Sequence, residues 1–315
     1  MTMIKYDNLT IKGIDVSQYN GTYTDTKLPQ VSKFKDMGGR FIIIRSSYGR
    51  VADRAYPFFV KASKGVLDIA LYHYMDYYSH TSLGITSSQW GIKQAEKIWE
   101  LNRENNYPVF IDVESASVAT NIANVWPTAM TILDNILQRY DELSGKTTGI
   151  YASTGWLPKF YEYHRSRPLF AANYNPLTPD QIRSIVSKSG FTNLLIWQYS
   201  STGNAGFSSP CDMNAWMQDE DCYRQFFSSS PVVMNPNPEP EPEPVKTRLV
   251  DIKTVQVGTL NIRRGAGTNF GIVGTLVRGN VVECLEYKTV NGNTWARVGQ
   301  SQWVAAVYNG QNYIA

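Results

Sequence analysis

The sequence has few of the residues that build disulfide frameworks and zinc sites, and it has no apolar run long enough to span a membrane. Its 315 residues include three histidines and three cysteines. Cys211, Cys222 and Cys284 match no framework or zinc-ligand spacing, so reduced thiols are expected, with a Cys211–Cys222 bridge left open. No stretch reaches the roughly 18 apolar residues of a membrane-spanning helix. The sequence therefore predicts no metal, no cofactor and no membrane insertion.

The sequence also has little excess of positive over negative charge. The formal net charge is +3, which argues against a protein that binds nucleic acid mainly through its phosphates. Hydrophobic residues make up 43% of the chain, enough for a folded core. The 20 tyrosines and 8 tryptophans are mostly expected in that core, although such rings also line sugar-binding pockets. This composition is compatible with a neutral or weakly anionic polymer as the substrate.

A run of alternating proline and glutamate divides the chain. Residues 228–246 read SSSPVVMNPNPEPEPEPVK, which favours an extended polyproline II spacer over an ordered loop. We therefore predict one domain over residues 1–227, a linker over 228–246 and a second domain over 247–315.

The first predicted domain alternates short apolar runs with amphipathic segments. The predicted strands are Gly13–Gln18, Phe41–Ser46, Asp68–Tyr74, Val109–Glu114, Gly149–Ser153, Leu169–Tyr174 and Leu194–Tyr199. The predicted helices are Ser88–Asn106, Thr120–Leu143 and Pro179–Ser189. Continuously apolar strands between helices indicate an α/β fold, an irregular TIM-like (β/α) barrel with fewer than eight full helices.

The predicted strand ends carry the candidate site, because active sites of such barrels lie at the carboxyl ends of the strands. Four carboxylates fall there, counting Asp212 where an eighth strand is expected. The candidate catalytic residues are Asp15, Asp112, Glu114 and Asp212. The candidate substrate-binding residues are Arg45, Tyr72, Tyr151, Tyr174, Trp197 and Gln198, with Trp197 as the best sugar platform, although a core role suits it nearly as well.

Asp112 and Glu114 form the sharpest feature. Residues two apart on a strand face the same side, with Cα atoms roughly 6.5 Å apart. Two carboxyl groups so close cannot both ionise freely, so one pKa should rise. A carboxylic acid that keeps its proton at neutral pH is what glycoside cleavage needs. By contrast, His73 lies in an apolar run and is expected in the core.

Eight short motifs carry a family resemblance. They are GIDVSQYNG, FIIIRSSYG, LYHY, PVFIDVES, GIYAS, LFAANY, LIWQYS and CDMN. Their order resembles glycoside hydrolase family 25, the lysozymes of phage endolysins, bacterial autolysins and some fungi, over about residues 10–225. The resemblance implies N-acetylmuramidase activity on bacterial peptidoglycan. It makes Glu114 the general acid and Asp112 its partner, and it matches Asp15 and Asp212 to further site carboxylates.

The resemblance also bears on the mechanism. A close Asp-x-Glu pair suits substrate assistance with net retention, in which Asp112 orients the acetamido group that attacks the anomeric carbon. The rival is an inverting route through a water activated by Asp15 or Asp212. Phe170 stands where the family often has tryptophan, which puts one sugar contact in doubt.

The predicted second domain is β-rich, with turns at GAGTNFG, RGN and NGN. It resembles a bacterial SH3 domain, a small all-β barrel, which implies binding to a wall component. Tyr287, Trp295 and Trp303 are conceivable contacts, although the two tryptophans suit a core better.

Other functions are less well matched by the residues. A chitinase would carry a longer D-x-x-D-x-D-x-E signature, and a peptidase or amidase would carry H-E-x-x-H or another zinc-ligand spacing. A catalytically dead wall-binding protein remains a third hypothesis, although all four acidic positions are filled. Residues 1–13 contain no apolar run typical of a secretory signal. We therefore expect synthesis in the host cytoplasm and release to the wall, with a phage-made membrane lesion as the hypothesis; the oligomeric state is not predicted.

Overall fold

The structure is a computed structural model that describes residues 11–115, 121–207, 209–227, 251–284, 286–299 and 302–315. The described residues belong to two compact units, the first ending at residue 227 and the second starting at 251. The predicted proline- and glutamate-rich linker at 228–246 lies outside the described residues.

The first unit is built on a closed barrel. Its strands are β1 (Lys12–Val16), β2 (Gly39–Tyr48), β3 (Val51–Ala52), β4 (Asp68–Tyr74), β5 (Val109–Asp112), β6 (Gly149–Ser153), β7 (Leu169–Ala172), β8 (Leu194–Gly203) and β9 (Cys211–Trp216). The strand order is β1-β9-β8-β7-β6-β5-β4-β2, and pairing of β1 with β2 closes the barrel. Strand β3 forms a hairpin with β2 outside the closed ring.

One strand of the barrel runs against the others. Within the closed ring, the parallel pairs are β1–β2, β2–β4, β4–β5, β5–β6, β6–β7 and β7–β8. Strand β9 is antiparallel to both β8 and β1. The first residues of β9 therefore lie at the same mouth of the barrel as the last residues of the parallel strands. This mouth holds the candidate site.

The described helices of the first unit are fewer than eight, as predicted, and they differ widely in length. Those of the first unit are α1 (Val31–Asp36), α2 (Tyr56–Ser63), α3 (Ser79–Ser82), α4 (Ser87–Asn102), α5 (Trp126–Ser144), α6 (Pro179–Lys188) and α7 (Glu220–Phe227). Short 3-10 turns replace a helix between β6 and β7. Helix α5 begins six residues later than predicted, next to Pro127, whose missing N–H suits a first helical turn. No helix in the described part of the chain is long and apolar enough to span a membrane.

The base of the barrel is filled with aromatic rings. Phe41, Phe110 and Phe170 are at most 2% exposed and point inward. Helix α7 covers this end, and its Phe226 ring packs 5.8 Å from that of Phe110. A Cβ atom on Gly149 would come within 2.4 Å of the Phe110 ring, so glycine there leaves the ring its space. The opposite end, at the mouth, is left open.

The second unit is all-β. Its strands are β10 (Asp251–Thr254), β11 (Thr259–Arg263), β12 (Ile272–Val277), β13 (Val281–Cys284), β14 (Glu286–Val290), β15 (Asn293–Gly299), β16 (Gln302–Tyr308) and β17 (Gln311–Asn312). Strands β10 and β13 pair with each other, and the other six form an antiparallel sheet. Trp295 lies in the core of this unit, as its sequence position suggested.

Candidate active site

A pocket of about 460 Å³ opens at the mouth of the first unit. Its walls bring together nine of the ten predicted site residues: Asp15, Arg45, Tyr72, Asp112, Glu114, Tyr151, Tyr174, Gln198 and Asp212. The remaining lining residues are Ser17, Tyr19, Asn20, Tyr74, Phe170, Ser201, Pro210 and Cys211. Carboxylates thus meet phenols, amides and one guanidinium within a space of sugar size.

Asp112 and Glu114 both line the pocket, although not on one strand as predicted. Strand β5 ends at Asp112, and Glu114 lies in the loop that follows. The backbone N–H of the intervening Val113 still donates to the carbonyl oxygen of Tyr151 at 2.9 Å, and its side chain packs outside the barrel. The extended course therefore continues past the strand, which keeps the two acids on the same side.

Burial and mutual repulsion raise the pKa values of this carboxyl pair. Asp112 is 4% exposed, and burial followed by the charge of Glu114 holds its pKa well above the ordinary value, while the Arg45 guanidinium lowers it. Burial also raises the pKa of Glu114, which a hydrogen bond donated by Tyr74 partly offsets. Glu114 is the less buried of the two acids. The pair therefore holds a proton to a higher pH than an ordinary carboxyl group does, and the more exposed Glu114 is placed to deliver it to a ligand.

Asp15 and Asp212 form a second carboxyl pair across β1 and β9. They are direct partners in the antiparallel register. Burial, followed by the charge of Asp212, raises the pKa of Asp15 well above its ordinary value, and burial raises that of Asp212. The two carboxyl groups lie close enough for each to influence the pKa of the other.

Gln198 connects this second pair to two phenols. Its Nε2 donates to Asp15 Oδ2 at 2.7 Å. Its Oε1 accepts hydrogen bonds from the hydroxyls of Tyr151 at 2.9 Å and Tyr174 at 2.6 Å. Because both hydroxyls donate to Gln198, their remaining lone pairs are available to a bound ligand. Asn214 also donates to Asp15 Oδ2, at 3.0 Å.

Arg45 is fixed by a partner that the sequence did not indicate. Its Nε donates to Asp53 Oδ2 at 2.6 Å, and both side chains are nearly inaccessible. Asp53 Oδ1 in turn accepts from the backbone N–H of Ala55 at 2.8 Å. The guanidinium also stacks on the ring of Tyr19, 5.0 Å from its centroid. The ion pair with Asp53 holds the guanidinium of Arg45 in place. Its positive charge therefore lies at a fixed position in the wall of the pocket.

Trp197 corrects the prediction of a sugar platform. Its side chain is 0% exposed, packs in the core outside the barrel, and does not line the pocket. Its Nε1 donates to the carbonyl oxygen of Asn173 at 2.9 Å. Because neighbours on a strand face opposite sides, Gln198 takes the inward position and Trp197 the outward one. His73 is fully buried between Ser47 and Gln94, as predicted for a core histidine.

Sequence reasoning missed Tyr19, Tyr74, Asn214 and Asp53. Tyr74 and Asn214 could have been found, because each stands two residues after a predicted site residue on the same strand. Asp53 follows the β2–β3 hairpin and carried no such signal. Within the described ranges, no group of three or more histidine, cysteine, aspartate or glutamate side chains could hold a metal ion. The three cysteines are free thiols.

Solved structures share the fold of the first unit at low sequence identity. A bacterial lysozyme from Streptomyces coelicolor superposes with a TM-score of 0.56 at 20% identity, covering 70% of this chain and 98% of that one. A muramidase from Trichobolus zukalii gives 0.54 at 18% identity, covering 70% and 100%. The catalytic domain of endolysin ply40 from bacteriophage P40 of Listeria monocytogenes gives 0.51 at 20% identity, covering 70% and 99%.

Sequence comparison gives the family itself. Among curated proteins, none matches this chain. The family model described as glycosyl hydrolases family 25 matches residues 14–206, most of the chain and nearly all of the barrel, from β1 into the segment before β9. The matched segment contains Asp15, Asp112 and Glu114, whose side chains meet in the pocket. The chain therefore belongs to family 25 of the glycosyl hydrolases.

Proposed function

We propose that this protein is an N-acetylmuramidase, which hydrolyses the β-1,4 bond between N-acetylmuramic acid and N-acetylglucosamine in bacterial peptidoglycan. Membership of glycosyl hydrolase family 25 supports a glycosidase. The observation that carries the proposal is the convergence of two carboxyl pairs, each with raised pKa values, on one open pocket. The fold is shared with proteins described as lysozyme, muramidase and endolysin.

Glu114 acts as the general acid in the proposed reaction. Its proton passes to the glycosidic oxygen as the bond from that oxygen to the anomeric carbon breaks. The carbonyl oxygen of the substrate's own acetamido group bonds to the anomeric carbon and forms an oxazolinium ring. A water molecule then attacks the same carbon and opens the ring, and Glu114 takes the proton of that water. The two displacements together retain the anomeric configuration.

Asp112 orients the acetamido group in this scheme. In the described part of the chain its Oδ1 is buried without a hydrogen-bond partner. A buried unpaired carboxyl oxygen costs free energy until a donor reaches it. The acetamido N–H of a bound sugar is such a donor, and the negative charge of Asp112 would stabilise the positive ring that forms. The unpaired oxygen therefore favours substrate assistance.

The inverting alternative fits the second carboxyl pair less well. It needs Asp15 or Asp212 as a free base for water. Asp15 Oδ2 is already occupied by Gln198 and Asn214, and burial keeps the pKa values of both acids raised. These two amide donors fill the acceptor positions of Asp15 Oδ2 and leave that oxygen no position for an attacking water. We assign Asp15 and Asp212 to shaping the pocket and holding the sugar.

The second unit is proposed as an SH3-like module that binds a wall component. Its all-β architecture and its exposed aromatic side chain, Tyr287, at 44% exposure, are compatible with that role. Together the two units suit an endolysin that reaches the wall and lyses the cell from which it is released.

Replacing Glu114 tests the whole proposal. Glu114→Gln removes the transferable proton and should lower hydrolysis of purified peptidoglycan by at least about 10²- to 10⁴-fold, the usual contribution of a general acid. Mass spectrometry of the wild-type digest should show fragments ending in N-acetylmuramic acid, with retained configuration by NMR at early times. Glu104→Gln, exposed beyond the end of α4, is the matched control and should keep full activity.

The inactive variant also separates cutting from binding. Glu114→Gln should still sediment with purified walls, and adding Tyr287→Ala should reduce the sedimented fraction if the second unit binds there. Cleavage at muramic acid by Glu114→Gln would refute the assignment of the acid. Release of chitin fragments but no muropeptides would identify a different glycosidase, and wall binding by the wild type without new reducing ends would identify an adhesin.

A further inference from the structure

The excess positive charge of the protein is concentrated in its second unit. Residues 247–315 contain seven lysines and arginines against three aspartates and glutamates, whereas residues 1–227 contain 22 against 21. The first unit is therefore nearly neutral, although it is three times as long. The second unit has a local excess of cations, which attracts an anionic partner.

A tryptophan lies between two arginines on the sheet of the second unit. Trp303 of β16 is the direct partner of Arg263 on β11 and of Arg297 on β15. Direct partners in antiparallel strands lie on the same face of a sheet, so the three side chains form one row. The next pair along β15 and β16 is Ala296 and Val304, and both are fully buried. Because neighbours along a strand face opposite sides, the row lies on the side away from these two core residues.

Strand β14 extends the row with one acid and one further cation. Glu286 is the direct partner of Arg297, and its carboxylate accepts from Arg297 Nε at 2.8 Å. Lys288 follows two positions later on β14, so it lies on the same side as Glu286, and it is exposed. We call Arg263, Arg297, Lys288 and Trp303 the cationic face. It carries three positive charges beside the single negative charge of Glu286.

Two cations of this face keep their charge uncompensated. Arg263 Nη1 donates to the carbonyl oxygens of Thr268 and Phe270, at 3.1 and 2.9 Å, which fixes the guanidinium against the loop after β11. Among the described residues, no acidic side chain forms an ion pair with Arg263 or Lys288. Trp303 is half-buried, so part of its ring remains accessible. The cationic face therefore presents charged N–H donors and an apolar ring surface side by side.

Phosphodiester groups joined by short carbon units match both features. Guanidinium and ammonium groups bind phosphate oxygens strongly, and an indole ring packs on the C–H groups of a polyol or sugar. A polymer that repeats these two parts contacts several cations at once, including Arg278, which is exposed in the turn between β12 and β13. We infer that the cationic face binds a phosphodiester-linked polymer of the bacterial wall.

The inference rests on the proposed function, because it assumes that the second unit acts at a wall. It names the ligand class of that unit and separates it from the substrate of the first unit. A stem peptide offers only a few carboxylates and also carries amino groups, so it matches the excess of cations less well. Binding through ionic contacts weakens with salt, because counterions screen exposed charges and compete for the phosphates.

Sedimentation with purified, membrane-free walls tests the inference on the full chain. The parent protein carries Glu114→Gln, so that the walls stay uncut. Extraction of the walls with aqueous hydrofluoric acid breaks phosphodiester bonds and leaves the glycan and its peptides. The extraction should raise the apparent Kd at least about tenfold, equivalent to the loss of two or more ionic contacts. Soluble poly(glycerol phosphate) should displace the protein from untreated walls, and added salt should weaken binding to them.

Replacement of single cations locates the binding face. Lys288→Gln should raise the apparent Kd for untreated walls about fivefold, the usual contribution of one basic side chain at an anionic surface. Arg263→Gln should lose at least as much, whereas Arg263→Lys keeps the charge and should lose less. Lys64→Gln removes the same charge from an exposed position of the first unit and should match the parent. Thermal melting of each variant confirms that folded proteins are compared.

The outcomes separate this inference from the proposed function. Unchanged binding after the acid extraction would overturn it and assign the second unit to glycan or peptide. Equal losses in Lys288→Gln and Lys64→Gln would also overturn it, because they would show a general attraction between the protein and the wall. Displacement by single-stranded DNA but not by poly(glycerol phosphate), at equal phosphate concentration, would identify a nucleic-acid site instead. If the wild type cuts no glycan, the proposed function fails, and the sedimentation of the uncut walls still decides the inference.

Discussion

The two ends of the barrel are built from inward-facing residues of the same strands, yet they have opposite chemistry. At the base, Phe110 of β5 packs on Phe170 with ring centroids 5.6 Å apart. At the mouth, two residues further along the same strand, Asp112 is buried beside other acids. At the base, burial of apolar surface stabilises the folded state. At the mouth, burial of carboxyl groups destabilises it. The comparison indicates that the aromatic base stabilises the mouth.

This division of roles predicts opposite responses to substitution at the two ends. A residue at the base should affect stability and leave the chemistry of folded molecules unchanged. A residue at the mouth should affect the chemistry, and its replacement by a neutral side chain should leave stability the same or higher. Proteins commonly accept local strain and buried charge at functional sites and compensate elsewhere in the fold.

The largest effect is expected at the base. Phe110→Ala should lower the free energy of unfolding of the first unit by about 3–5 kcal/mol, the usual cost of removing a buried phenylalanine. Specific activity per folded molecule should stay near that of the wild type. Chemical denaturation with a parallel activity assay measures both. Phe270→Ala, at a 42% exposed phenylalanine, is the control; a fall in activity without loss of stability in Phe110→Ala would break the comparison.

The next effect is expected at the mouth. Asp112→Asn keeps the shape but removes the charge that, in the proposed reaction, stabilises the developing positive ring. It should lower kcat by about 10²- to 10³-fold, as for other positioned electrostatic groups. The free energy of unfolding at pH 7 should be unchanged or higher, because an amide needs no charge to be buried. Steady-state kinetics and denaturation test both halves, and a clear loss of stability would contradict the assignment.

The smallest effect concerns pH. Burial and Asp212 raise the pKa of Asp15 in the folded protein, whereas the unfolded chain has an ordinary value near about 4. The folded state therefore holds its proton more tightly, and this contribution to stability is complete below about pH 4 and is lost as pH rises through the raised pKa. Asp15→Asn, which mimics the protonated form, should gain stability relative to wild type as pH rises.

Melting temperatures of Asp15→Asn and wild type at pH 4 and pH 7.5 measure this difference. The control is Asp25→Asn, whose aspartate side chain is 85% exposed and should give no pH-dependent difference. A gap between Asp15→Asn and wild type that is the same at both pH values would show that the Asp15 proton makes no contribution to folding.

Local sequence patterns determined much of this protein. Apolar runs located the strands to within a few residues, and α6 ended one residue from its prediction, beginning at a Thr178 cap whose side chain accepts from Gln181. Acids at strand ends identified the carboxylates, because parallel strands of a barrel bring their carboxyl ends to one mouth. These features depend on spacing of a few residues, which a sequence displays directly.

Only the tertiary structure decided the rest. The reversal of β9 placed Asp212 opposite Asp15, and strand alternation put Gln198 in the pocket and Trp197 in the core. The Arg45–Asp53 pair arose from a hairpin that the sequence did not reveal, and the contact between the hydroxyls of Tyr48 and Tyr78 brings together residues from a strand and a separate loop. The direction of each strand, the side on which each side chain lies and the contacts between distant residues depend on how the barrel closes. The hydrophobic effect favours the arrangement that buries the most apolar surface in the whole fold, and that arrangement is not set by neighbours in the chain.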